Sequence, residues 1–139
     1  MTPRSRQAEA LRVILALRPR YLRVSAIAAV LSISRRTFTR LFGSAGLPSP
    51  QAWIGLVRAL HTHRAILKGR RLKEAAIAAG YPDQFTMSNA LHRMTGFRPS
   101  ALRGVAWTQL VDAWIARQQH RGTLVRRLAD RLSEPPTPP

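Results

Sequence analysis

The chain has 139 residues and carries 23 Lys or Arg against only six Asp or Glu, which gives a formal net charge of +17. It contains no cysteine, which excludes disulfides, thiolate metal sites and cysteine nucleophiles. At this length we expect one compact unit, or two very small subdomains that share a connecting element, and no separate ligand-sensing domain.

The positive charge is concentrated before residue 104. Residues 1–50 hold nine Lys or Arg against one acid, residues 51–103 nine against two, and residues 104–139 five against three. Basic residues at this density would repel one another in a compact fold unless a polyanion neutralised them. The charge therefore favours a nucleic-acid partner over an ordinary solvated surface. No apolar run approaches the ~20 residues of a membrane span, so we expect a cytoplasmic protein without a membrane partner.

The predicted elements are all helical. Apolar residues at one-face spacing predict a first helix over residues 7–17 and a second over residues 24–31, followed by a tight turn. Ser34 is a good N-cap for a third helix over residues 35–42. A group of Gly, Ser and Pro residues between positions 43 and 50 then ends it.

A long connecting helix is predicted over residues 51–68, which corresponds to a rod of roughly 27 Å. The next helix covers residues 72–79, and Gly80 supplies a turn position that tolerates a positive φ. A further helix begins at residue 82 or 83 and runs to about residue 94.

Residues 104–132 are predicted to form a helical extension, and the proline-rich residues 133–139 a disordered tail. The extension carries an apolar stripe that includes Trp107, Trp114 and Ile115. We favour the interpretation that this stripe folds back on the domain. The alternative is that Trp107, Trp114 and Ile115 form a surface for self-association or for another protein.

Residues 24–44 and 72–94 each fit a helix-turn-helix motif, which places a DNA-binding domain at residues 1–103. Such a motif needs a small residue where its two helices pack closely, and Ala28 and Ala76 stand at these positions. It also keeps apolar residues on the inner face of its second, or recognition, helix. These would be Phe38, Leu41 and Phe42 in the first copy, and Met87, Ala90 and Leu91 in the second.

The outward faces of both recognition helices carry side chains suited to base-pair edges and phosphates. On the first helix the set suits guanine and phosphate: Arg35, Arg36, Thr39 and Arg40. On the second helix the set suits A·T pairs: Gln84, Phe85, Thr86, Ser88 and Asn89. Two further basic residues are interpreted as phosphate contacts that set the register: Arg93 and Arg98.

Two such motifs in this order share specific residues with a known family. In the first half these are Ala28, Ser34 to Phe38, Arg40 to Phe42, Gly46, Trp53 and Arg58. In the second half they are Ala76, Gly80 to Gln84, Gly96, Pro99 and Arg103. On these residues, the stretch from about Leu22 to Arg103 resembles the DNA-binding domain of the AraC/XylS family of bacterial transcription regulators.

The resemblance implies two subdomains joined by the long helix, with recognition helices that enter successive major grooves on one face of the duplex. It also implies base contacts from Arg36, Thr39 and Arg40 in the first motif, and from Gln84, Phe85, Thr86 and Asn89 in the second. One departure is Arg23, which stands where a capping Ser or Thr is common in the family.

We therefore predict a sequence-specific transcription regulator that binds double-stranded DNA as a monomer, because one chain supplies two recognition helices. RNA polymerase is a further candidate partner, and whether the regulator activates or represses is left open. Two alternatives also stay open. One is an architectural or nonspecific DNA-binding protein, and the other is a protein-interaction module that uses the Trp107 to Ile115 face.

No enzyme activity, cofactor or metal is predicted. The six acids are scattered among different helices without a nearby Ser or His constellation. His61 and His63 point about 200° apart on a helix and so cannot share a metal ion.

Overall fold

A computed structural model describes residues 3–118, with side chains described from residue 6. Every regular element in this range is helical, which confirms the predicted all-α class. The α-helices are α1 (Pro3–Ala16), α2 (Val24–Val30), α3 (Arg35–Ser44), α4 (Pro50–Leu67), α5 (Leu72–Ala78), α6 (Gln84–Thr95) and α7, described over residues 107–118. Short 3₁₀ turns lie at Pro19–Tyr21 and Pro99–Gly104.

The helix bounds follow the predicted ones closely, with two differences. Helix α1 starts at Pro3 instead of residue 7, which suits a proline because the first turn needs no N–H. Helix α3 continues through Gly43 and ends only where Gly46 takes a left-handed φ of 71°. There the Leu47 N–H donates to the Phe42 carbonyl at 3.1 Å and closes the helix end. The predictions for residues 119–139 lie outside the described residues.

The first motif encloses a core to which α1, α2, α3 and α4 all contribute. Phe38 and Phe42 are fully buried and stack with ring centroids 5.3 Å apart. Ala28 is 2% exposed, as expected where α2 and α3 pack closely. Helix α1 covers this core, and its buried Gln7 donates from Nε2 to the Leu41 carbonyl at 2.8 Å.

The second motif has its own small core, in which Ala75 and Ala76 of α5 pack against Met87 of α6. The linker helix α4 is shared by both halves. Its N-terminal part contributes Ile54 and Val57 to the first core, and its later turns join a third cluster with α6, the second 3₁₀ turn and α7: Ala59, Ile66, Leu91, Leu102 and Leu110. The linker helix is therefore a structural member of both units, not an exposed spacer.

Helix α7 folds back along α4, as expected from the favoured interpretation of its apolar stripe. Trp114 is only 3% exposed, and its Nε1 donates to the Ala52 carbonyl at 3.1 Å. Trp114 is therefore covered by α4 within the chain itself. Trp107 and Ile115 remain 61% and 38% exposed.

Candidate nucleic-acid interface

The first recognition helix, α3, begins at a well-formed cap. The Thr37 N–H donates to Ser34 Oγ at 3.0 Å, and the Ser34 hydroxyl donates to Thr37 Oγ1 at 2.8 Å. This is the capping expected of Ser34, since an N-cap oxygen satisfies an amide that the helix leaves unpaired. The α2 helix lacks such a cap, because Arg23 makes no side-chain cap hydrogen bond.

The outer face of α3 is polar, basic and fully accessible. Its buried phenylalanines fix the rotation of the helix, so that the four predicted contact residues are all exposed: Arg35, Arg36, Thr39 and Arg40. The same four line one wall of an open groove, and the other wall is formed by the start of α4 at Ser49, Pro50 and Gln51. Three guanidinium groups therefore border one groove.

The second recognition helix, α6, begins at Asp83. The Thr86 N–H donates to Asp83 Oδ1 at 2.7 Å, and the Thr86 hydroxyl donates to Oδ2 at 3.1 Å. These hydrogen bonds, first the backbone one and then the side-chain one, hold the pKa of the exposed Asp83 carboxyl below its ordinary value. Because Asp83 already engages the Thr86 hydroxyl, the methyl group of Thr86 is the part that is free to touch a base.

The outer face of α6 presents its predicted residues unequally. Phe85 is 71% exposed, and Thr86 and Asn89 are exposed as well. Gln84 and Ser88 are half-buried. Met87 is fully buried on the opposite side, which fixes the rotation of the helix as expected.

Arg98 lies against this face instead of projecting away from it. Its Nη1 donates to Asn89 Oδ1 at 3.0 Å and to Ser88 Oγ at 3.2 Å. A bidentate contact from an asparagine to adenine uses both the amide oxygen and the amide nitrogen. Asn89 must therefore exchange its Arg98 partner before it can pair with adenine in this way. The sequence could not show this bond, because nine residues separate the two side chains.

A narrow cleft of about 210 Å³ connects the two units. It is lined by residues of the linker helix, of the second unit and of α7, among them Ser49, Gln51, Arg58, Arg93 and Gln118. Ser49 and Gln51 also border the groove beside α3. The basic groove of the first motif and the exposed Arg93 of the second therefore lie along one continuous surface.

Arg58 and Tyr81 form contacts between the two units beneath that surface. Arg58 donates from Nη2 to the Leu22 carbonyl at 2.7 Å, and its guanidinium carbon lies 5.3 Å from the centre of the Tyr81 ring. Burial raises the pKa of the Tyr81 hydroxyl above its ordinary value, although the nearby Arg58 opposes this. In the sequence, only the family resemblance points to Arg58 and Tyr81, and it gives them no role.

The turn before Tyr81 approaches the first unit closely. Gly80 has a φ of 95°, and a Cβ at this position would lie 2.9 Å from the Pro19 carbonyl oxygen. A side chain does not fit there without backbone movement. The glycine therefore serves both the turn and the contact between the two motifs.

Two other features bear on function in the part of the chain that the structure describes: metal ligands and membrane-spanning helices. No group of three or more His, Asp or Glu side chains there could hold a metal ion. His63 is buried and donates from Nε2 to the Val105 carbonyl at 2.6 Å, whereas His61 is exposed. No helix within residues 3–118 is long and apolar enough to cross a membrane.

Comparison with known proteins places the site within a recognised domain. A family model described as a helix-turn-helix domain matches residues 27–104, which is more than half of the chain. This range contains α3 to α6 and ends before α7. No solved structure matches the chain.

Two bacterial proteins are similar to the same part of the chain. They are the virulence regulon transcriptional activator VirF of Yersinia enterocolitica and the thermoregulatory protein LcrF of Yersinia pestis. Each is 32% identical over 82 residues, which is 58% of this chain and 30% of the relative. The chain thus spans less than a third of the length of these relatives.

Proposed function

Since this chain belongs to the AraC-type helix-turn-helix family of DNA-binding transcription regulators, we propose that it is itself a sequence-specific regulator of transcription. It inserts α3 and α6 into successive major grooves of one duplex. The observation that carries the proposal is the pair of capped helices, each with its apolar face buried and polar side chains exposed, beside adjoining grooves that share Ser49 and Gln51.

The exposed residues divide into base contacts and phosphate contacts. On α3, the guanidinium groups of Arg35, Arg36 and Arg40 bind guanine edges or phosphates, and Thr39 lies between them. On α6, the base-reading set is Gln84, Phe85, Thr86, Ser88 and Asn89. Arg93, beside the cleft, and Arg98, beside Asn89, bind phosphates.

One chain is expected to occupy one site as a monomer in the cytoplasm. Each chain already supplies two recognition helices, so a DNA site with two elements needs no second copy. RNA polymerase is the candidate protein partner of such a regulator. Trp107 and Ile115, which remain exposed on the described part of α7, are the candidate residues for self-association.

Selection of binding sites from a randomised DNA library tests the proposal directly. The purified chain should enrich a motif with two elements about one turn of B-form DNA apart. In the Arg40→Ala variant, affinity for that site should fall by about 1–3 kcal/mol, and base preference should relax at one position. Arg12→Ala removes an exposed charge from α1 as a matched control and should leave the base preference unchanged.

Two outcomes would contradict the proposal. If scrambled duplex displaced the selected site as efficiently as the site itself, the chain would be a nonspecific DNA-binding protein. If Arg40→Ala and Arg12→Ala selected the same motif as the unmodified chain, α3 would not read bases.

A further inference from the structure

We propose that α7, which lies beyond the matched family domain, holds the second recognition helix at a fixed orientation to the linker helix. Trp114 and Arg117 are the positioning residues. Trp114 and Arg117 are not among the proposed DNA contacts, so their effect on DNA binding is exerted through α4 and α6.

Helix α7 runs antiparallel along α4 and is attached near both ends of it. At its start, the Val105 carbonyl accepts a hydrogen bond from buried His63, in the later part of α4. At Trp114, the indole N–H donates to the Ala52 carbonyl, in the first turn of α4. Between them, Leu110 is fully buried in the cluster that contains Leu91 of α6.

Trp114 also reaches the first unit through an aromatic pair. Its ring centroid lies 5.0 Å from that of Trp53, at an interplanar angle of 52°. Trp53 in turn packs against the core formed by α1 to α4. Trp114 of α7 therefore contacts α4, the linker helix shared by both units, at the end of α4 nearest to α3.

Arg117 secures the C-terminal end of α6. Its Nη1 donates to the Arg93 carbonyl at 3.3 Å, and its Nη2 would lie 2.7 Å from a Cβ on Gly96. Gly96 is the left-handed cap of α6. A cation at this place is favoured because the last carbonyls of a helix lack intrahelical partners and carry partial negative charge. Arg117 thus binds the backbone of Arg93, a proposed phosphate contact.

A rigid connection matters because DNA fixes the distance between its grooves. If α6 were free to rotate on α4, only part of the population would present both recognition helices in register, and the apparent affinity would fall by that fraction. This consequence rests on the proposed function, whereas the rigidity itself does not.

The absence of cysteine allows rigidity to be measured in the full-length chain without DNA. Cysteines introduced at exposed Ser44, at the end of α3, and at exposed His92, on α6, would carry spin labels for a distance measurement by electron paramagnetic resonance. We expect a narrow distance distribution for the parent pair, and a broader one when Arg117→Gln or Trp114→Phe is added. Trp114→Phe keeps an aromatic ring but removes the hydrogen bond to Ala52.

Arg12→Gln, an equal loss of charge on exposed α1, is the control and should leave the distribution narrow. Unchanged widths in both Arg117→Gln and Trp114→Phe would overturn the proposal. So would equal broadening by Arg12→Gln, because the effect would then come from charge and not from contact with α6.

Binding to the selected DNA site completes the test. Arg117→Gln should weaken binding to a duplex with both elements about tenfold, and should leave binding to duplexes with either element alone unchanged. An equal loss on all three duplexes would contradict a positioning role. Failure of the proposed function is distinguishable, since the parent chain would then lack sequence preference while the label distances would still report on α7.

Discussion

Single side chains decide where each recognition helix begins. Ser34 and Asp83 each accept a hydrogen bond from the backbone N–H three residues later. Such caps are local, so the sequence alone predicted Ser34 as a cap and placed the start of the second recognition helix at residue 82 or 83. Each cap places the first polar turn of its helix at the surface, where a phosphate or base edge can approach.

The Asp83 cap is expected to make stability depend on pH. Because its folded-state pKa is lowered, its stabilisation is complete above the pKa of the unfolded chain and is lost as the pH falls through the folded-state value. Asp83→Asn keeps a capping oxygen but does not titrate. Urea unfolding at a series of pH values should show the parent chain losing stability in acid relative to the variant.

Asp112→Asn is the control for that measurement, because Asp112 is an exposed carboxylate within α7 and caps no helix. If Asp112→Asn changed the loss of unfolding free energy in acid as much as Asp83→Asn does, the Asp83 cap would not be the cause of that loss.

The Arg98 to Asn89 hydrogen bond predicts a second residue-level effect. Arg98→Ala should weaken binding to all duplexes about equally and reduce the slope of log K against log salt by about one, as expected for a phosphate contact. Asn89→Ala should instead change base preference at one position. Since the two side chains are bonded, the double variant should deviate from the sum of the single effects on binding.

Titrations of the four proteins of this double-mutant cycle against the selected site and a scrambled duplex would measure that deviation. Strict additivity would mean that the two residues act independently on DNA. A change of base preference in Arg98→Ala alone would show that Arg98 contributes to sequence reading.

At the scale of elements, sequence patterns predicted what is local and missed what is not. Apolar spacing, capping residues and glycines located α2 to α6 to within a few residues. The same patterns could not identify which neighbour a helix face meets. The contacts of Arg58 with Leu22, of Trp114 with Ala52 and of Arg117 with Arg93 each join residues more than twenty positions apart. They depend on how the helices pack.

Alanine substitution at Gly80 tests the contact between the motifs, and the same substitution at Gly43, inside α3, is its control. Gly80→Ala should destabilise the fold by about 2 kcal/mol or more, because it places a Cβ at a left-handed φ. That Cβ would also lie 2.9 Å from the Pro19 carbonyl. Gly43→Ala should stabilise the fold by up to about 1 kcal/mol, because alanine favours a helix and nothing lies within 4 Å of its Cβ.

Chemical denaturation of the two variants checks these opposite signs. Equal stability of Gly80→Ala and the parent chain would show that the turn can move away from Pro19. The docking of the second motif on the first would then be looser than the structure indicates.

At the scale of the whole molecule, positive charge lies along the grooves beside the recognition helices. The groove beside α3 and the cleft beside Arg93 share Ser49 and Gln51, so the arginines of α3 and Arg93 of α6 border adjoining grooves although they come from different units. A net charge of +17 on 139 residues gives these grooves a long-range attraction for a polyanion. In the proposed function, base reading by α3 and α6 adds specificity to an affinity that any duplex would share.

The separation of binding into an electrostatic contribution and a base-reading contribution predicts how affinity depends on salt. If Arg35, Arg93 and Arg98 each neutralise a phosphate while Arg36 and Arg40 read bases, log K should fall against log salt with a slope of roughly −3. Specific and scrambled duplexes should show similar slopes but different affinities, since base contacts add to the electrostatic term. Fluorescence anisotropy between about 50 and 200 mM salt would measure both. A flat response would exclude DNA as the main partner and favour a protein-binding module that uses the exposed Trp107 and Ile115 of α7.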